Sequence, residues 1–231
     1  MRIFTLFLIF PLFLFSQKSK ELKSNELGKN TEIGISNQSQ QTTIKIGSQV
    51  WMTSNLDVSH FRNGDSIREA KTDKEWEECA KKQIPAWCYY HNKQDSGKKS
   101  GKLYNWYAVN DSRGLAPVGY KIPDEKDWSR LVNKLGGESI AAPKMRYGKI
   151  WGDSILVLSS KDNFGAINSG WRKRTDEKIE FLNNGAYWWS ATAHSNKISW
   201  TRYLVLNSKE VKSYCYDKGS GLSVRCLKTN K

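Results

Sequence analysis

The chain has 231 residues, 38% hydrophobic and 26% charged, with a formal net charge of +14. That balance excludes a disordered chain and a membrane-embedded one, and the length suffices for a real core. Of the 8 Phe, those at 4, 7, 10, 13 and 15 crowd the start, so the remainder relies on 10 Trp and 10 Tyr. Both residue types join a large apolar body to a polar handle and serve as core or as contact platforms.

Met1-Arg2 forms a short positive start, Ile3 to Phe15 is apolar apart from Thr5 and Pro11, and Ser16-Gln17 ends the run. That run is shorter than the about 20 residues a membrane-spanning helix needs. It matches the apolar region of a removable signal peptide, assigned to residues 1–16. No Cys follows it closely, so lipid attachment has no acceptor and the protein is expected to be exported without being a lipoprotein. No later segment is apolar enough to span a membrane once the signal is removed. Residues 17–41 are rich in Ser, Asn, Gln and Lys and lack aromatics, a composition that cannot offset the entropy of ordering, so they read as a flexible tether.

A single domain is expected over residues 42–231. It opens on TTIKIGSQVWM, which alternates as strands around a Gly47-Ser48 turn. Asn63-Gly64-Asp65 marks another turn. Thr72 with Glu75 three residues on is a capping box that starts a first helix. A second helix follows Pro123-Asp124, with Trp128, Leu131, Val132 and Leu135 on one face and Gly136-Gly137 as the stop. Asn105 and Asn110, flanking Trp106-Tyr107, are expected to tie loop backbone. From residue 149 on the chain is rich in loops, with short aromatic strands in GAYWWSATA, ISWTRYLVLN, EVKSYCYD and GLSVRCLK. The expected fold class is α+β, with two helices, short antiparallel strands and long loops.

Four cysteines, Cys79, Cys88, Cys215 and Cys226, fit an exported protein stapled by disulfides. Three pairings are possible. Cys79–Cys88 and Cys215–Cys226 are favoured because each closes a short loop, the second across the Lys218-Gly219-Ser220-Gly221 turn. A zinc site is disfavoured, since there is no Cys-x-x-Cys and His60, His91 and His194 are scattered. The positive charge lies in dispersed patches such as Arg172-Lys173-Arg174, which read as solvated loops rather than a nucleic-acid surface.

The blocks IGSQVWMTSNL, FRNGDSI, GKLYNWYAVND, RGLAPVGYKIPDEKDWSRL, YWWSAT and GLSVRCLK occur in that order between about Ile44 and Lys228. Together they resemble the Fibrobacter succinogenes major paralogous domain, found in surface and secreted proteins of Fibrobacter and Bacteroidetes. The resemblance implies a fold similar to the C-type-lectin and formylglycine-generating-enzyme type, and it implies no established activity. Cys215, additional to the Cys226 of the last block, departs from the family pattern.

Signals for catalysis are weak: GxSxG, HExxH and a phosphate-cradling glycine loop are all missing from the sequence. The fold resemblance raises thiol-dependent oxidation, but Cys215 and Cys226 are too far apart for a Cys-x4-Cys arrangement. No cofactor is expected, nor a calcium-dependent sugar site, because Glu-Pro-Asn-like triplets are missing. The leading expectation is a non-catalytic module that binds an extracellular glycan. A structural or adhesive protein with a surface-protein partner is the alternative. Trp171, Arg172, Tyr187, Trp189, Trp200, Arg202 and Tyr214 are the candidate contacts, rings stacking on sugar faces and arginines supplying directional hydrogen bonds. Of the adjacent Trp188 and Trp189, Trp188 is expected inside and Trp189 outward.

Overall fold

The computed structural model of the protein describes residues 42–147, 164–174 and 179–229. The expected signal peptide and tether lie outside them. The elements in chain order are β1 (Thr43–Ile46), β2 (Gln49–Met52), β3 (Arg68–Glu69), α1 (Asp73–Lys81), β4 (Ala86–Cys88), α2 (Gln94–Ser100), β5 (Leu103–Tyr104) and α3 (Trp106–Val109). They continue with β6 (Tyr120–Lys121), α4 (Glu125–Lys134), α5 (Ala142–Met145), β7 (Trp171–Arg174) and β8 (Ile179–Leu182). The last are β9 (Gly185–Ala193), β10 (Ile198–Val205), β11 (Lys212–Asp217) and β12 (Leu227–Lys228). The fold is α+β, with more strands than helices.

Local chemistry sets the boundaries. Gly47 turns β1 into β2 at φ +61, a conformation that costs glycine little. The Thr72 side chain accepts from the Glu75 N–H while Glu75 accepts from Thr72, so two donors at the start of α1 are satisfied. Asp124 and Asp127 do the same for α4, which buries Trp128, Leu131 and Val132. The three helices beyond the expected pair, α2, α3 and α5, have 7, 4 and 4 residues, too short to display a helical period. The buried Asn105 side chain accepts from the N–H groups of Ala86 and Ala108 and donates to Ile84 O, the backbone tie expected of it. Asn110 is exposed and ends α3.

Among the described residues the strands form four small sheets, ordered β1-β2-β12-β6, β11-β10-β9, β3-β4-β5 and β7-β8. One segment sews them together. Gly221 bridges Arg172 of β7, Leu222 bridges Tyr104 of β5, Ser223 bridges Trp188 of β9, and Leu227 pairs with Trp51 and Lys121. Each sheet alone is too small to enclose a core, and this seam supplies the missing hydrogen bonds between them.

Strand β9 divides the interior. On one side Trp188 meets Phe164 at 5.5 Å and Trp128 at 5.9 Å between ring centroids, with Trp51 4.9 Å from Trp128. On the other, Trp189 donates its indole N–H to Tyr104 O at 2.7 Å. The alternation is as expected, but both faces of β9 are covered, so both indoles are 0% exposed and Trp189 does not point outward.

The cysteines are not bridged: all four are free thiols, which corrects the expected Cys79–Cys88 and Cys215–Cys226 disulfides. The turn after Asp217 forms, with Ser220 N–H donating to Asp217 O. The chain beyond it then leaves β11 for the seam, so Cys226 sits beside β2 while Cys215 stays in the β9–β11 sheet. Cys79 on α1 and Cys88 on β4 share one buried cluster, where the positive charge of Arg172 lies near Cys88. Burial pushes the Cys88 thiol up to about 11 and that of Cys226 up to about 12. Thiol titration of denatured, unreduced protein is therefore expected to find all 4 cysteines. In the native protein only Cys215, the one not fully buried, should alkylate readily. Burial raises its pKa too, so that rate should still be climbing as pH passes about 8.5.

Candidate functional site

The pairing of β9, β10 and β11 decides which side chains share a surface. Tyr203 lies opposite Tyr187 and Lys212, Thr201 opposite Trp189 and Tyr214, and Ser199 opposite Tyr216. Directly opposed residues in a sheet point to the same side, so four tyrosines from three strands line one face. Their rings run from the interior to the surface. Trp171 stacks on Tyr187 at 5.0 Å, Tyr187 on Tyr203 at 5.2 Å with planes 7° apart, and Tyr216 meets Trp171 at 4.5 Å. Tyr214, 5.4 Å from Tyr216, ends the run and is 60% exposed.

The polar handles divide in the same way. The buried Tyr187 hydroxyl donates to Asn184 Oδ1 at 2.9 Å. Burial, with Tyr203 nearby, pushes its pKa up to about 12. Burial also raises that of Tyr216, helped by the neighbouring Tyr187, Tyr203 and Tyr214. Tyr187 and Tyr216 are therefore neutral donors and acceptors at physiological pH. The hydroxyls of Tyr203, Tyr214 and Tyr216 have no protein partner among the described residues. Beside Tyr203 opens a cleft of about 330 Å³, bordered by Glu138, Ser139, Glu210 and Lys212. An aromatic platform with free hydroxyls next to charged groups can stack on a ring and orient it by hydrogen bonds.

The seven candidates from the sequence do not form one surface. Trp171, Tyr187 and Tyr214 belong to the aromatic run, the first two as its buried base, and Trp189, on the same face of the sheet, is fully buried in the same core. Trp200, half-buried, is on the opposite face beside His194. Arg202 is also on that face, buried, and donates to Glu125 at 2.8 Å, Glu138 at 3.0 Å and Ser129 at 3.2 Å. Arg172 is buried elsewhere. It donates to Asp73, to Asn92 Oδ1 at 3.2 Å and to Thr72 O at 3.4 Å, and lies 4.8 Å over Trp76. These two arginines pin helices to sheets rather than facing solvent. Tyr203 and Tyr216 are the surface members that sequence reading passed over. The signal was present, because residues two apart on a strand share a face and Tyr216 is two beyond Tyr214.

Among the described residues, no three His, Cys, Asp or Glu side chains gather into a group able to hold a metal, and no helix is long and apolar enough to cross a membrane. Fold and surface together define an α+β domain with small sheets sewn by one segment and a tyrosine-lined sheet face. The model of the Fibrobacter succinogenes major domain matches residues 44–228, and the chain belongs to that family. No curated protein and no solved structure matches it.

Proposed function

We propose that this protein is an exported, non-catalytic binding module of lectin-like fold that takes a glycan on the tyrosine face of β10 and β11. The observation that carries the reading is the solvent end of the aromatic run. Tyr203, Tyr214 and Tyr216 present ring surface and unpartnered hydroxyls side by side, rigidly backed by Tyr187 and Trp171. A thiol-dependent oxidase needs an accessible thiolate, and burial raises the pKa of all four cysteines. A protein partner is the second reading, favoured by the outer edge of β11, which bonds to no other strand among the described residues.

The test is a screen of residues 42–231 against immobilised glycans and polysaccharides, repeated at moderate salt. Saturable, salt-resistant binding that falls about tenfold in Tyr214→Ala is expected, the loss typical of an exposed aromatic contact. Binding that disappears with salt, or that Tyr214→Ala leaves unchanged, would remove the glycan from this face.

A further inference from the structure

A second cleft, of about 300 Å³, opens at the far side of the four-stranded sheet, between β2, β6, β12 and α4. Its volume is at the lower limit of small-ligand pockets, enough for a single ring. The rim is cationic. Lys121 and Arg130 approach Asp127 at 2.6 and 3.6 Å, while Lys228 pairs with no carboxylate among the described residues. Lys134 lays its stem along Gly47 at the neighbouring turn and adds a further positive charge. Asp127 is the one carboxylate here, and it also accepts from the Asp124 backbone in the cap of α4. The cleft therefore holds more positive charge than its own residues neutralise.

The second observation is Gln49, 5% exposed on the cleft wall. Its Nε2 donates to Asp127 O at 3.0 Å, which fixes the amide orientation and leaves Oε1 without a hydrogen-bond partner. An unsatisfied buried acceptor is costly, about 1–3 kcal/mol, and a hydroxyl donor would relieve it. A ligand that answers both features carries a monoanion and, beside it, a hydroxyl. Inorganic phosphate would meet the cations but is smaller than the cleft. We propose that this cleft is a subsite for the carboxylated sugar of an acidic glycan, a uronate whose carboxylate meets Lys228 and Arg130 and whose hydroxyl donates to Gln49. The site is on a different sheet from the tyrosine face and stands whether or not that face binds a glycan.

The experiment is calorimetric titration of the protein with an oligogalacturonate, a neutral galacto-oligosaccharide and inorganic phosphate. Saturable binding of the oligogalacturonate alone is expected. It should weaken at least tenfold in the double variant Lys228→Gln, Arg130→Gln, whose exposed side chains can change without unfolding the domain. Lys98→Gln on α2, which removes charge elsewhere, should leave affinity within twofold, and so should Tyr214→Ala, which separates this site from the tyrosine face. The proposal is overturned if the oligogalacturonate does not bind, if phosphate binds equally well, or if Lys98→Gln weakens binding as much per charge removed.

Discussion

Asn55→Ala is expected to destabilise the domain by about 3–5 kcal/mol, the loss seen when a buried charge is deprived of a partner. For a domain of this size that lowers the melting midpoint by roughly 6–20 °C. Asn55 Oδ1 accepts from Arg225 Nη2 at 2.8 Å, from Arg225 Nε at 3.2 Å and from the Trp188 indole at 2.9 Å. Arg225 is fully buried, and the rest of its hydrogen bonding goes to the carbonyls of Met52, Phe164 and Gly165. Burial lowers its hold on the proton, and no carboxylate pairs with it among the described residues. Removing Asn55 therefore leaves a guanidinium with too few acceptors in a low-dielectric interior. Asn55→Asp keeps the acceptor and should recover part of the loss. Thermal melts of the two variants beside the parent check this, and an Ala variant melting within 2 °C of the parent would show that water or a shifted carbonyl replaces the amide.

Trp189→Ala is expected to cost about 3–5 kcal/mol as well, by emptying indole volume from the core and removing one of the two donors, the other being Leu222 N–H, that Tyr104 O accepts from. Tyr214→Ala, at the exposed end of the aromatic run, should stay within about 0.5 kcal/mol of the parent. The contrast matters for any binding assay, because lost binding in Trp189→Ala would report a lost fold, whereas lost binding in Tyr214→Ala reports a lost contact. Urea unfolding of both variants settles it. Parent-like stability of Trp189→Ala would place that indole outside the core.

What could be read from the sequence was local. The capping box at Thr72, the helix start after Pro123-Asp124, the Gly47 turn and the apolar stripe of α4 depend on residues a few positions apart, and each reappears in the structure. What could not be read was how far the chain travels between contacts. Cys215 and Cys226 flank a true turn, yet closeness in sequence misled because Leu222 and Ser223 are claimed by Tyr104 and Trp188. Likewise, alternation told Trp188 from Trp189 but not that a second core covers the other face of β9. The tyrosine surface was half legible: Tyr214 stood out, while Tyr203 belongs beside it only once the register of β10 and β11 is known.

The seam also governs when this protein can fold. Its decisive contacts close very long loops: Arg225 reaches Asn55 across 170 residues, and Met52 N–H waits for Cys226 O. Loop closure on that scale is an entropic cost met before any reward, which slows folding in proteins dominated by distant contacts. Residues 221–227 leave a ribosome only after the elements they join, so α1, α4 and the β10–β11 hairpin can form early while the four sheets stay unjoined. Ending the chain before Gly221 would therefore remove the keystone of the core rather than trim an edge.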